Sequence, residues 1–576
     1  MGNLTSSTCK CLAEIADGVT VFDLQVKFLL EAGITEICIT TGHFSKNLEK
    51  YTREHYPNIV FNFVYNPLYN ETNYIYSIHL AKDFLQDDIL LLHGDLVFER
   101  DVLHDILASQ YSVMAVDTTR ALPPKDFKAV VSEGKISKVG VNEFGEGSCY
   151  AQPLYKLKKA DWLVWLNEIN RFCEKGTTSV YAENAFNTIS QKINLLPLEL
   201  GGRLCFEIDN VADFEYGKEV YRQLERQQFF EGLGSFFEAE SIIKATGAKK
   251  IFVVCDASFK NIAKNFAFYT VLFSEFTPNP VYEDILAGVS LFEAEGCDFI
   301  ISVGGGSAID VAKCINILKD FSEINLLEKP RCKHLAIPTT AGTGSESTRF
   351  AVIYQDGEKR SIEHEEVLPN YVILDPKFLE TLPLYHKKSA MLDALCQAIE
   401  SIWAKGATNE SKFYAKKAIP LILNNVASYI YGNPKSAKQI LTAANFSGKA
   451  INISKTTAAH AMSYRLSSMF SIAHGHAVGL CMLYVWQHLI DERENHMLVK
   501  NSLDEISVAM GCKSCEEALA VFKALFEELK MPSGFTANDF EIKELVASVN
   551  AQRLNNHPII ISVAKIACIY TKLLIN

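Results

Sequence analysis

Four polar residues in the last third of the chain have the types and spacing of a metal site. Asp393 and Gln397 stand four apart in the run Met391–Glu400 and so share one face of a helix. His460 and His474 follow, 14 residues apart. A carboxylate joined by imidazoles holds a divalent first-row ion with open positions, as Lewis-acid catalysis at a carbonyl requires. For either histidine alone, the plainer alternative is a hydrogen-bonded residue between helices. Upstream, Gly304-Gly305-Gly306-Ser307 leaves a strand-length apolar run and opens a helical one. Such a turn presents free backbone N–H groups and the positive end of a helix dipole, which suits a pyrophosphate. Thr339 to Glu346 follows a second strand-length run and supplies Thr339, Thr340, Thr343 and Ser345 as further contacts. Neither turn is G-x-G-x-x-G, and a tight turn is the alternative for each; two in one α/β unit point to a dinucleotide.

These residues need a scaffold, and the apolar patterning describes one. Strands are expected at Ile34–Gly42, Val60–Tyr65 and Asp88–Val97, with helices at Phe44–Tyr56 and Ile75–Phe84 between them. That alternation predicts βαβ units and a mostly parallel sheet. Phe127–Val141 reads as a hairpin beside the sheet, turning at Ser132-Glu133-Gly134. The charged, glutamine-rich stretch Val220–Phe229 marks the main boundary. Beyond it the pattern gives helix Phe236–Thr246, strand Lys250–Cys255, strand Phe299–Val303, helix Ala308–Leu318 and strand His334–Pro338. After about residue 380 amphipathic helical patterns run to the end. The expected domains are 1–225, 229–378 and 379–576.

Composition narrows the function classes. The chain has 576 residues, 48% of them apolar and 22% charged, which describes folded domains rather than a disordered or fibrous chain. With 56 Lys and Arg against 68 Asp and Glu, the net charge is −12, and no basic run offers a nucleic-acid surface. The 15 cysteines are scattered and odd in number, no signal-peptide pattern opens the chain, and no apolar run approaches membrane-spanning length. A reducing cytoplasm and small-molecule substrates are expected. Gly2 and Ser6 fit the acylation pattern M-G-x-x-x-[ST], which is short enough to arise by chance.

Residues 230–576 resemble the iron-containing (group III) alcohol dehydrogenases. The resemblance rests on Gly304–Ser307 with Asp310 and Lys313, the Pro338–Glu346 run, Leu374-Asp375-Pro376, Asp393-Ala394-Leu395, and His460 with His474. It implies a divalent ion, iron or zinc, held by Asp393, His460 and His474, with Gln397 where the family usually has a histidine. A neutral amide oxygen is a weaker ligand than imidazole, so the ion is bound more loosely or Gln397 stands outside its ligands. His476 is a substitute ligand or a support behind the others. Asp256 matches a family aspartate near the adenosine ribose, favouring NAD(H) over NADP(H). Within the family, Gly448–Tyr464, Ser347–Phe350 and Asp393–Ser401 look like the branch that reduces phosphonoacetaldehyde. A dianionic phosphonate calls for nearby cations, and Lys455, Arg349 and Arg465 are the candidates, with solvated surface charge as the alternative for each.

Residues 8–220 resemble nucleotidyltransferases, in particular cytidylyltransferases acting on phosphocholine or phosphonates. The resemblance rests on Lys10-Cys11-Leu12, Phe22–Gly33, Asn66-Pro67, Thr72-Asn73, Tyr76-Ser77, Gly94-Asp95 and Glu207–Asn210. It implies Mg²⁺ on Asp95 and Asp209, CTP as substrate, catalysis assisted by Lys10, and substrate contacts from Asn73 and Ser77. The family's buried first strand and Gly-rich, Arg-containing loop have no counterpart before Lys10, which reads as a true start lying upstream, with a degenerate module as the alternative. The expected fold class is an α/β nucleotidyltransferase-like (Rossmann-like) domain, then an α/β dinucleotide-binding domain and an all-α metal-binding domain. The expected function is bifunctional: reduction of phosphonoacetaldehyde to 2-hydroxyethylphosphonate, then cytidylyltransfer to the product, by a homo-oligomer. The rivals are a reductase acting on another small aldehyde or polyol phosphate, and one whose N-terminal module only binds nucleotide or mediates assembly.

Overall fold

The computed structural model describes residues 8–574 apart from 17, 319–325, 328 and 356–357, so Gly2 and Ser6 lie outside the described residues. The chain divides into two compact units, Met1–Leu224 and Glu225–Asn576, at a point inside the charged Val220–Phe229 segment. Among the described residues no helix is long and apolar enough to cross a membrane.

In the C-terminal unit six strands form one parallel sheet in the order Gln228–Glu231, Tyr371–Leu374, Lys333–Pro338, Phe299–Gly304, Lys250–Cys255, Tyr269–Phe273. Strands covered on both faces read as unbroken apolar runs, and every residue of Phe299–Gly304 is buried. The helix after it spans Gly306–Ile317, two residues earlier than the pattern placed it, because extended Gly305 already ends the strand as its N-cap. The edge strand Gln228–Glu231 was not expected: four residues show too little periodicity. From Leu384 onward the unit is helical, built on Leu384–Trp403, Asn409–Ile430, Pro434–Ser454, Ala458–Phe470 and His474–Glu492 around one apolar core.

The N-terminal unit departs from the expected parallel sheet. Ser148–Leu157 runs antiparallel to both Ile89–Leu92 and Ser112–Asp117, and only Leu195–Glu199 joins Ser112–Asp117 in parallel. The cause is the hairpin Lys128–Ser132/Lys135–Gly140, which lies within the sheet, its first strand paired with Ser148–Tyr150, and returns the chain in the reverse direction. The expected strand Asp88–Val97 is two strands, Ile89–Leu92 and Leu96–Phe98. The turn His93-Gly94-Asp95 breaks it, and the second piece pairs with Cys205–Glu207 instead.

Among the described residues, Glu36–Thr41 pairs only with Val60–Tyr65, and Ile89–Leu92 only with the 154–157 segment. Both unpaired edges line a cavity of about 1190 Å³. A six-residue strand at 3.3 Å per residue, about 4.8 Å wide in a layer about 10 Å thick, fills roughly 950 Å³. The sheet is therefore interrupted by a gap the size of one strand, and Ile37, Ile39, Leu90 and Leu92 are only half-buried there.

Candidate active site

Helix Leu384–Trp403 carries Asp393 inward, the start of Ala458–Phe470 brings His460, and His474 opens the next helix. Their ligand atoms all lie within 4.8 Å of one another. His460 Nε2 is 3.2 Å and His474 Nε2 3.9 Å from Asp393 Oδ1. Asp393 and His460 are each 3% exposed, whereas the His474 side chain is 37% exposed and forms the open side. One carboxylate and two imidazoles in this arrangement fit a divalent first-row ion.

The triad has a support that its sequence spacing did not reveal. Buried Glu400, seven residues after Asp393 on the same helix, takes His460 Nδ1 in a short hydrogen bond. It also accepts Thr457 Oγ1 at 2.6 Å and the Ala459 amide at 2.9 Å. A carboxylate on Nδ1 fixes the imidazole tautomer and leaves Nε2 free to bind an ion. Burial alone would push the Glu400 carboxyl up, but His460 and the hydroxyl and amide donors hold it below the ordinary carboxylate range. The i,i+7 spacing was the available signal.

Gln397 lies beside the triad in the same pocket. Its Oε1 accepts Ser447 Oγ at 3.0 Å and its Nε2 faces the Thr343 carbonyl at 3.4 Å, so the amide is engaged at both ends. His476 is turned away from the triad: its Nδ1 meets Tyr385 Oη at 3.1 Å and its ring packs against Phe526 and Phe535. The fourth-ligand role considered for His476 is corrected on that ground.

The glycine turn closes against the same pocket. A Cβ added at Gly306 would come within 2.9 Å of Thr343 Cγ2, and one at Gly342 within 2.6 Å of the Ala390 carbonyl. Gly306, Ser307, Thr343 and Ser345 line a cavity of about 260 Å³ together with Asp393, His460 and His474. Asp256 accepts the Gly305 amide at 2.9 Å, so its carboxylate steadies the turn from below. Thr339 and Thr340 do not line the cavity; the Thr339 amide bonds the Gly304 carbonyl at 2.9 Å, joining the two turns. The Ser345 hydroxyl is held in a short bond to Asp310. Buried Lys313 fastens this loop, its ammonium donating to the carbonyls of Ser345, Thr348 and Phe350 at 2.6–2.9 Å.

The three cations expected to face the substrate do not line the cavity. Lys455 ends helix Pro434–Ser454 at φ 60°, and its ammonium pairs with Glu363 at 2.7 Å. Arg349 pairs with Glu363 and Glu365, and Arg465 with Glu544. Each has a carboxylate partner elsewhere, which corrects their assignment. The cation that does line the cavity is Arg553, on the short helix Ala551–Asn555. Nothing in its local sequence except the Asn550 cap marks it.

In the N-terminal unit Lys10 Nζ lies 3.1 Å from Asp95 Oδ2 and 2.8 Å from Asp209 Oδ1, so the three residues converge. Burial would lower the Lys10 amine, but the two carboxylates raise it. The tighter ligand-like cluster is His93, Asp95 and Glu207, with Asp209 outside it. Asn73 caps helix Tyr74–Leu80 through its own side chain, and the Ser77 hydroxyl accepts Asn66 Nδ2 at 3.1 Å. Neither lines the large cavity, and both are held by capping and turn hydrogen bonds.

Comparison with known proteins adds to this geometry. Two family profiles match: iron-containing alcohol dehydrogenase over residues 227–376, and the C-terminal part of the Fe-containing alcohol dehydrogenase family over 388–574. The NAD-dependent methanol dehydrogenase of Bacillus methanolicus is 29% identical over 326 residues, 53% of this chain and 86% of that protein. The probable alcohol dehydrogenase EutG of Escherichia coli is 31% identical over 254 residues, 42% of this chain and 62% of that one. Among solved structures, sulfoacetaldehyde reductase from Bifidobacterium kashiwanohense, in complex with NAD+, superposes with a TM-score of 0.56 at 25% identity. The match covers 61% of this chain and 97% of that one.

Proposed function

Residues 227–574 belong to the iron-containing alcohol dehydrogenase family, and from that premise we propose that the site reduces phosphonoacetaldehyde to 2-hydroxyethylphosphonate with NADH. The observation that carries the reading is the convergence of Asp393, His460 and His474 on the cavity that the glycine turn also lines. A divalent ion held by the triad supplies Lewis acidity toward a carbonyl oxygen, and a nicotinamide supplies hydride. The rest is done by side chains of this chain. Gly306 and the amides opening helix Gly306–Ile317 offer N–H groups to a pyrophosphate. Asp256 keeps that turn in shape and sets a negative charge beside it, which disfavours a 2′-phosphate. Glu400 holds His460 in the ligating tautomer. The phosphonate assignment draws support from the resemblance of Gly448–Tyr464 to that branch, and from a structural relative that is a reductase of sulfoacetaldehyde, an aldehyde carrying an anionic group. The test is NADH oxidation by the metal-reconstituted chain: kcat/KM for phosphonoacetaldehyde is expected to exceed that for acetaldehyde by about 100-fold. Equal values would remove the phosphonate assignment.

A second reading concerns the N-terminal unit. Lys10, Asp95 and Asp209 converge, with Asp95 lining the large cavity, an arrangement suited to Mg²⁺ and the phosphates of CTP. Among the described residues no arginine lines that cavity, and the lysine that does, Lys156, already donates to the Leu107 and Ser109 carbonyls at 2.6 Å, so transfer to the phosphonate is expected to be weak. Pyrophosphate release from CTP and 2-hydroxyethylphosphonate measures it directly.

A further inference from the structure

The active-site cavity carries two carboxylates, Asp393 and Asp310, and an anionic substrate entering it needs a fixed positive charge. Apart from the histidines, one cationic side chain lines that space, Arg553. It forms no ion pair among the described residues. This sets it apart from Lys455, Arg349 and Arg465, whose charges are met by glutamates outside the cavity.

The guanidinium is positioned from several sides. Its NH1 donates to the Thr456 hydroxyl in a short hydrogen bond, and its carbon lies 5.9 Å from the centre of the Tyr464 ring. Tyr464 in turn stacks flat on His474, with ring centroids 5.4 Å apart and planes 5° from parallel. Arginine, tyrosine and the histidine of the triad thus follow one another along the lining of the cavity. The helix bearing Arg553 is anchored at both ends: the Asn550 side chain caps it at 2.9 Å, and Asn556 Nδ2 bonds the Ser454 and Thr456 carbonyls at 2.8 and 3.1 Å. Thr456 follows Lys455, whose left-handed backbone at φ 60° is a costly conformation for a residue with a Cβ. That turn sends the lysine ammonium outward to Glu363 and leaves the next hydroxyl to orient the guanidinium.

We propose that Arg553 is the specificity-determining residue of this site, reading the anionic group that an aldehyde substrate carries on the carbon next to its carbonyl. A planar guanidinium presents paired N–H donors that match phosphonate or sulfonate oxygens, and Thr456 and Tyr464 hold it so that little ordering is left for binding. This inference rests on the proposed aldehyde-reductase function but not on the phosphonate in particular, since a sulfonate offers the same chemistry.

The experiment compares the reconstituted wild type with Arg553→Ala and Arg553→Lys. One arm measures kcat/KM for phosphonoacetaldehyde, sulfoacetaldehyde and acetaldehyde; the other measures binding of methylphosphonate, which cannot be reduced, by calorimetry. The ratio of anionic to neutral aldehyde is expected to fall about 30- to 100-fold in Arg553→Ala, mostly through KM, and to recover in part in Arg553→Lys. Methylphosphonate binding is expected to be lost in Arg553→Ala. A wild type that prefers anionic aldehydes beside an Arg553→Ala variant with the same preference overturns the role of Arg553 and leaves the proposed function standing. A wild type with no such preference overturns the proposed anionic substrate, and methylphosphonate then decides on Arg553: weaker binding by Arg553→Ala upholds the anion site, and equal binding overturns it.

Discussion

In the C-terminal unit the four inner strands of the sheet are paired on both sides, and Phe299–Gly304 is buried throughout. In the N-terminal unit Glu36–Thr41 and Ile89–Leu92 face a gap of about 1190 Å³, and their apolar side chains are only half-buried. The two charged sites follow the same contrast. Asp393 and His460 sit on packed helices with Glu400 locking the imidazole, both residues 3% exposed. Lys10 and Asp209 meet with side chains 40% and 59% exposed, where ion pairs contribute little. A strand paired on both sides buries its side chains, and the packed helices around Asp393 and His460 bury those two as well. Where the ladder is interrupted, the carboxylates converge without that support.

The largest effect that sharpens this contrast is expected at Lys313. Its ammonium holds five oxygens of the Ser345–Phe350 loop, so Lys313→Met leaves buried acceptors unmet and should destabilise the C-terminal unit by about 3–5 kcal/mol in denaturant melts. Burial pulls the Lys313 amine from its ordinary 10.5 to about 8. Below pH 8 the folded and unfolded chains both hold the proton. Between pH 8 and 10.5 the unfolded chain holds more, so the stability contributed at this position rises with pH across that window. A wild type and a Lys313→Met variant with parallel stability–pH curves from 8 to 10 would show that the residue keeps its charge in the fold.

A smaller effect is expected at Glu400. Glu400→Gln keeps the size but weakens the hold on His460 Nδ1, and should cost about 10- to 100-fold in ion affinity or in kcat/KM. A loss below twofold would mean that helix packing alone orients the histidine. The smallest and most direct comparison is amide exchange: amides of 36–41 and 89–92 should exchange faster than those of 299–304 and 333–337 under native conditions. Equal protection would show that the gap is closed in solution.

Much of the C-terminal site was legible in the sequence because its signals are local. The i,i+4 pair Asp393 and Gln397 and the Gly304–Ser307 turn each lie within one element boundary, and parallel strands announce themselves as apolar runs. Gln397 is on the expected face, yet which atoms its amide meets depends on Ser447, 50 residues away. Lys455 illustrates a different limit: the segment is beside the cavity as its spacing from His460 suggested, but a left-handed backbone turns the side chain outward. Arg553 and Glu363 come together with that segment only in the fold. In the N-terminal unit the first strand–helix–strand unit matches expectation, Glu36–Thr41 pairing in parallel with Val60–Tyr65, while the break in 88–97 and the antiparallel strand Ser148–Leu157 do not, because a hairpin reverses direction without changing periodicity.

We propose that Asp393, His460 and His474, without Gln397, hold the catalytic ion. Equilibrium dialysis of Zn²⁺ against the wild type, His474→Ala and Gln397→Ala chains, with ion content counted per chain, tests it most directly. One ion present in the wild type and in Gln397→Ala but missing from His474→Ala is the predicted result. An ion lost equally from the Gln397 and His474 variants, or retained in both, would contradict it.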